Sequence, residues 1–180
     1  DDIKVHVMHR KKKEGLGVAY ISGFKWALEK SYSHIFQIDA DFSHDPNDLS
    51  RLLEATDHAD IALGSRWIKG GSTTGWTIQR RILSRLGNIY ARTILGVSPH
   101  DLTGGFKCFR RNALESIDLE NVISTGYGFQ IEITWLALKA GLTIKEVPIN
   151  FKDRTEGVSK LSGTTFKEAL TLVWKLRNIF

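Results

Sequence analysis

Short apolar runs alternate with stretches of helical periodicity along most of this chain, and that alternation restricts the folds open to it. Ile3 to Met8, Ile35 to Asp39, Asp60 to Gly64, Phe106 to Phe109 and Thr143 to Phe151 read as strands. Between and beyond them, residues up to about Lys30, Ile78 to Leu95, Asn112 to Ile117, Tyr127 to Lys139 and the last 18 residues read as helices. Strands separated by helices predict an α/β sandwich with a mainly parallel sheet. Pro148 places its strand near a sheet edge, because proline donates nothing to a ladder. Asp45 and Pro46 suit the cap and first position of a helix, and Gly96 suits the end of the helix before it. The loop carrying Gly70, Gly71 and Gly75 reads as movable.

At 180 residues and 42% apolar content the chain suits one domain with a sizeable core. Lys and Arg outnumber Asp and Glu by 25 to 20, and the resulting charge of +5 favours phosphates, nucleic acid or anionic lipid without choosing among them. The single cysteine, Cys108, excludes an intrachain disulfide and a cysteine-rich zinc site. No apolar run is long enough to span a bilayer, and the first residues lack a signal-peptide pattern. The chain does not begin with Met, which suggests a fragment.

Chemistry concentrates where the second run, Ile-Phe-Gln-Ile-Asp-Ala-Asp, ends in Asp39 and Asp41. Ligands of open α/β sheets gather at the carboxyl ends of strands. Mg²⁺ or Mn²⁺ suits two carboxylates there, completing its shell with water and substrate phosphate oxygens. The same two residues also suit a solvated turn ahead of a helix, and their spacing leaves both possibilities open. Arg66 follows a strand end, Arg80 and Arg81 open a helix, and Arg154 and Lys160 share a polar loop. Arg grips phosphate bidentately, whereas Lys160 acts as a point charge. Arg81, Arg85 and Arg92 also fit a solvated helix face, opposite apolar residues at 78, 82, 86 and 89. Ser43-His44-Asp45 is no triad by adjacency, the six histidines lack metal-ligand spacing, and Gly15-Leu16-Gly17 is too short for a dinucleotide fingerprint. Trp26 and Trp135 read as core, while Trp76 in the glycine loop does not.

Five segments, in order, resemble the dolichol/polyprenol-phosphate mannosyltransferases of glycosyltransferase family 2. They are Ile-Asp-Ala-Asp-Phe-Ser-His-Asp-Pro at 38–46, Gly-Ser-Arg-Trp-Ile-Lys-Gly-Gly at 64–71, Asp-Leu-Thr-Gly-Gly-Phe-Lys at 101–107, Gly-Tyr-Gly-Phe-Gln-Ile-Glu at 126–132 and Asp-Arg-Thr-Glu-Gly-Val-Ser-Lys at 153–160. The resemblance implies a GT-A fold, a Rossmann-like three-layer sandwich, with residues 1–162 as a partial catalytic domain and 163–180 as an amphipathic helix of the same domain. It implies mannosyl transfer from GDP-mannose to dolichyl or polyprenyl phosphate, with inversion, peripherally on the cytoplasmic face of a membrane. Expected partners are those two substrates, an anionic membrane surface and a membrane partner subunit, with no nucleic acid.

By position, Asp39 and Asp41 would hold Mg²⁺ or Mn²⁺ against the donor diphosphate. Arg66 and Arg80, with Ser84, Arg154 and Lys160, would bind donor or acceptor phosphates, and Asp41, Arg66 and Arg80 would carry catalysis. Gln130 and Glu132 would line the site. Some relatives carry Gln where this chain has Ser43, so no metal contact is implied there. The acceptor phosphate is already anionic, so no general base is required; metal and arginines meet the larger need of joining two anions. Family members begin with a Pro-X-Tyr-Asn-Glu-like segment and an Asp-Asp-Gly-Ser segment, and neither occurs here. The resemblance therefore implies a chain truncated at its N-terminus by one βαβ portion. The apolar positions 166, 169, 170, 173, 176 and 180 of the last helix fit core packing and membrane contact equally.

Overall fold

The computed structural model describes residues 4–153 and 163–179. Its central sheet contains β1 (His34–Gln37), β2 (Ile61–Ser65), β4 (Lys107–Arg110) and β5 (Ile144–Pro148), in the order β1-β4-β2-β5. Strand β4 runs antiparallel to both neighbours, while β2 and β5 are parallel. Three of the four strands thus share one direction, as the alternation predicts, but β4 is inserted against them and makes the sheet mixed. A small second sheet pairs β3 (Ser72–Thr74) with β6 (Asn150–Lys152) in parallel.

The pleat sorts side chains into two cores. Ile35, Phe109 and Ile61 stand in register and join the larger cluster with Phe24, Leu114, Ile133, Val173 and Leu176. Ala62, Cys108 and Val147 point the other way and pack on Leu52 and Ala55. Those last two belong to α2 (Asp48–Ala55), which alone lies against the second face among the described helices in contact with the sheet. The first face carries α1 (Leu16–Leu28), α4 (Arg111–Ser116), α5 (Phe129–Lys139) and α6 (Gly163–Ile179). Helices on both sides of one sheet make three layers.

Several expectations shift for local reasons. Lys4 to Met8 forms no strand: no described strand pairs with it, and Val5 and Val7 are exposed. Asp45 caps a turn instead of the helix. Its carboxylate accepts the Asn47 N–H at 3.0 Å and its carbonyl the Asp48 N–H at 3.0 Å, so α2 starts two residues after Pro46. The segment 143–151 serves both sheets, because Ile149 donates to Ser65 O and accepts from Ser72 N, each at 3.0 Å. The glycine loop contains β3.

Helix α3 (Ile78–Leu95) has the boundaries its periodicity predicts, with Thr77 accepting the Arg80 N–H at one end and Gly96 in the left-handed region, φ 67°, at the other. Its faces are reversed from an ordinary amphipathic helix. Asn88 and Ala91 are buried, whereas Ile78, Ile82, Leu86 and Ile89 are exposed, as are Arg81 and Arg85. The helix packs on α6, whose Leu172, Val173 and Leu176 are buried while Trp174 is exposed. For the described part of α6, core packing accounts for the apolar positions 173 and 176.

Glycine seats α1. A Cβ on Gly17 would lie 2.3 Å from the Ser124 carbonyl oxygen and 3.1 Å from the Phe129 ring, and the Gly17 N–H donates to Thr125 O at 2.9 Å. Backbone cannot yield cheaply, so Gly17→Ala should displace α1 and destabilise the fold by about 1–3 kcal/mol, the usual range for overpacking. Urea denaturation of the two proteins measures the difference; equal midpoints would show that the contact is dispensable.

Candidate active site

Both carboxylates follow the end of β1, in a turn that uses unusual backbone. Phe42, between Asp41 and Ser43, has φ 60° and is 87% exposed, a conformation and an environment that an aromatic side chain rarely adopts. The turn is held by Asp41, whose Oδ1 accepts from the Ser43 N–H at 3.1 Å and the Ser43 hydroxyl at 2.5 Å. Asp39 Oδ1 accepts from the Tyr20 hydroxyl at 2.6 Å. Burial and the Asp39 charge push the Tyr20 phenol far above its ordinary pKa, so it keeps its proton and donates. A Cβ on Gly105 would stand 3.4 Å from Asp39 Oδ2, so the glycine leaves the space beside that oxygen open.

These residues fit a substrate-completed site for a hard cation. Among the described residues no group of three or more His, Cys, Asp or Glu could hold a metal. Two carboxylates on one turn are what Mg²⁺ or Mn²⁺ takes when water and substrate phosphate supply the remaining oxygens.

A buried polar node lies behind Asp39. Lys107 Nζ donates to Gly104 O at 2.5 Å and to Gln130 Oε1 at 2.7 Å, and Gln37 Nε2 donates to the same Gln130 oxygen at 2.7 Å. Gln37, Leu63 and Lys107 are in register, so Gln37 and Lys107 project from the sheet face that α5 covers. Desolvation pushes the Lys107 ammonium down to about 7, against the pull of Asp101 and Asp39. In the sequence it closes the segment at 101–107, as a lysine at the head of an apolar strand with no sign of its buried partners. Gln130 lines the cavity as expected. Glu132 does not: its carboxylate accepts the Ile123 and Ser124 N–H groups, both at 2.8 Å, and anchors the segment on which α1 rests. Its position two residues after Gln130 turns it to another side of the helix.

Arg66 lines the cavity, but its fork is engaged. Nε and Nη2 each donate to Asp101 at 2.7 Å, and Nη2 also reaches Thr103 at 2.8 Å. Burial alone would raise the Asp101 pKa, but the Arg66 charge and these bonds outweigh it and hold the carboxyl below its usual range. The Arg66 guanidinium also sits among Trp67, Trp76 and Phe151, 5.3–5.7 Å from the ring centroids. Its side-chain bonds thus run to Asp101 and Thr103 while the side chain borders the cavity. Arg80 lies 4.1 Å over the Trp76 ring and pairs with Asp153 at 2.8 Å. Ser84 faces the same cavity one helical turn on. Arg81 points elsewhere, donating to Thr73. Arg154 and Lys160 lie outside the described residues. His44 is buried between Phe106 and Phe151, and neither ring nitrogen has a hydrogen-bond partner. Desolvation lowers its pKa against the pull of Asp39 and Asp41.

Asp39, His44, Arg66, Arg80, Ser84 and Gln130 border one cavity of about 480 Å³, and Asp41 is not in its lining. Its lining brings together Asp39, Gly105 and Gln130, the α3 side chains Arg80, Leu83, Ser84 and Tyr90, and Leu170 and Val173 of α6. Acidic, basic and apolar side chains thus share one cavity.

Known proteins resemble this chain over most of its length. Residues 1–118 match the profile described as "Glycosyl transferase family 2". The chain is 49% identical over 180 residues to a polyprenol monophosphomannose synthase of Mycolicibacterium smegmatis, covering 98% of this chain and 68% of that protein. It is 44% identical over 173 residues to an undecaprenyl-phosphate mannosyltransferase of Micrococcus luteus, covering 96% and 71%. Among solved structures, glucosyl-3-phosphoglycerate synthase from Mycobacterium tuberculosis in complex with phosphoglyceric acid aligns with TM-score 0.61 at 18% identity, over 96% of this chain and 57% of that one. The same synthase with Mn²⁺, UDP and its glucosyl product aligns with TM-score 0.58, over 91% and 55%. At this identity the structures establish the GT-A fold. The chain spans little more than half of their length.

The Lys107 node has a consequence for stability. The ammonium titrates near 7 when folded and near 10.5 when unfolded, so between those values the unfolded chain binds more protons and this group makes stability rise with pH. Below pH 7 both states are protonated and the slope vanishes. Lys107→Met should flatten the rise between pH 7 and 10, measured as the difference in unfolding free energy from wild type across a pH series. Parallel curves would show that the lysine is not desolvated.

Proposed function

This chain belongs to glycosyl transferase family 2, and on that footing we propose that it transfers mannose from GDP-mannose to a polyprenyl phosphate, with inversion, at the cytoplasmic surface of a membrane. The observation that carries the proposal is the mixed lining of the cavity. A polyprenyl phosphate is an anionic head on an apolar chain, and the same lining holds Arg80 and Ser84 together with Leu83, Tyr90, Leu170 and Val173. The named activities of the two bacterial relatives support the same acceptor class and the same sugar.

The reaction needs an acceptor phosphate oxygen to displace a nucleoside diphosphate from the anomeric carbon. A divalent cation, when bound by Asp39 and Asp41, would neutralise the donor diphosphate and ease its departure. This chain's own work is to align the two anions. Arg80, held by Trp76, can exchange Asp153 for the acceptor phosphate, a swap of one anionic partner for another. The ionised phosphate is itself the nucleophile, so no side chain has to remove a proton.

Helix α3 supports membrane contact. No described helix is long and apolar enough to cross a bilayer. The exposed Ile78, Ile82, Leu86 and Ile89 repeat at helical spacing, with Arg81 and Arg85 exposed alongside, a pattern that suits an anionic interface. Leu83 and Tyr90 of the same helix line the cavity.

Titration with GDP-mannose and UDP-glucose in the presence of Mg²⁺, followed by product analysis with a short polyprenyl phosphate, tests donor and acceptor together. Mannolipid formation from GDP-mannose alone is expected; turnover of UDP-glucose alone, or lipid binding without donor binding, would replace the proposal. Arg80→Ala should lower turnover about 10² to 10³-fold, the scale for loss of one preorganised anion-stabilising donor, and Arg80→Lys should recover part of it. Near-normal turnover by Arg80→Ala would remove Arg80 from the site.

For the surface, the double variant Ile82→Ser and Leu86→Ser should weaken binding to vesicles containing anionic lipid while leaving the thermal midpoint unchanged, since neither side chain is buried. Equal sedimentation with vesicles would assign membrane contact elsewhere.

A further inference from the structure

Helix α1 supplies one side chain to the carboxylate turn. Tyr20 lies three residues after Gly17, on the face that Gly17 seats against 124–129. Its ring is stacked on Phe129, with centroids 5.8 Å apart and planes 8° from parallel, and on Phe24 at 6.2 Å and 29°. With the ring fixed by two helices, the hydroxyl has one direction to point. It meets Asp39 Oδ1 at 2.6 Å.

We propose that Tyr20 is a positioning residue for cation binding: its hydroxyl occupies Asp39 Oδ1 and turns Oδ2, the oxygen beside Gly105, toward the metal as a single-oxygen ligand. Carboxylates that bind metals are oriented by their other hydrogen bonds, and loss of such a partner weakens metal affinity by about 10 to 100-fold. Gly105 lies beside Oδ2, where even a Cβ would come into van der Waals contact with that oxygen, at 3.4 Å. The position of α1 on its glycine contacts thereby sets the angle at which Asp39 meets a cation. This inference rests on Asp39 being a metal-holding carboxylate and adds the group that aims it.

The test is Mn²⁺ binding, followed by the loss of the free-ion electron paramagnetic resonance signal, with saturating GDP or UDP as the donor titration selects. Tyr20→Phe keeps the stacked ring and removes only the donor; it should raise the Mn²⁺ dissociation constant about 10-fold or more with little change in nucleotide affinity measured without metal. Replacement of Tyr20 by 4-aminophenylalanine, which restores a donor at the same place, should recover most of the affinity. Unchanged Mn²⁺ binding by Tyr20→Phe overturns the proposal, as does equal weakening by both replacements, which would assign the effect to packing. Asp39→Asn in the same titration separates the two levels: if it too leaves Mn²⁺ affinity unchanged, the metal assignment itself falls, and Tyr20 with it.

Discussion

The pair Arg66–Asp101 joins more of this structure than any other polar contact described above. Asp101 is fully buried and accepts from the Arg66 backbone N–H, from Nε and Nη2 of its side chain, and from the Thr103 hydroxyl. Thr103 in turn meets Asn88 of α3 twice, through its hydroxyl at 3.1 Å and its N–H at 3.3 Å. The Asp101 N–H donates to Glu146 of β5 at 3.1 Å. Asp101 thus ties the end of β2 through its carboxylate, β5 through its own N–H and α3 through Thr103 to the loop that returns the chain into β4. Burying both charges costs several kcal/mol each, so such a pair is weak grounds for stability. What it fixes is geometry: α3 can bury Asn88 and Ala91 in this orientation because polar partners wait for the asparagine.

That orientation decides which cations can meet a ligand. Arg66 is bonded to Asp101 through Nε and Nη2 and sits among three aromatic rings, so a phosphate taking those two donors would cost the buried carboxylate its charged partner. Arg80 carries no such obligation. Its partner Asp153 is partly exposed and can return to water when a phosphate replaces it. Resemblance assigns both arginines to phosphate, and both border the cavity, but Arg66 is the more buried and the more fully bonded of the two.

The parts legible in the sequence are those set by near neighbours. Two carboxylates after a short apolar run, and an 18-residue helix with its periodicity and terminal glycine, need nothing from the rest of the chain to be recognised. Strand direction is different. Nothing within Lys107–Arg110 says that it will run against β1 and β2, because that choice is made by the residues it pairs with, some 45 to 75 positions earlier. Glu132 fails for the same reason. Its motif suggests a site residue, while its partners at Ile123 and Ser124 belong to a loop without regular periodicity. Tyr20 gives no sign at all, since a tyrosine four residues before Phe24 reads as ordinary helix core until Asp39 is seen beneath its hydroxyl.

Helices α3 and α6 carry this point furthest. Apolar periodicity identifies a face but not the medium that covers it. In α6, Val173 and Leu176 fall on the stripe and meet protein; in α3, Ile82 and Leu86 fall on the stripe and meet solvent in the isolated chain. The difference lies in the residues between the stripe positions. Helix α3 places Asn88 and Ala91 on its inner side, a small residue for close packing and an amide for the Thr103 network, so the protein accepts that side and leaves the isoleucines outside. A soluble domain seldom leaves such a run uncovered. The same choice of helix face leaves Leu83 and Tyr90 in the cavity lining beside Leu170 and Val173 of α6, so the apolar surface outside and the apolar lining inside have one cause.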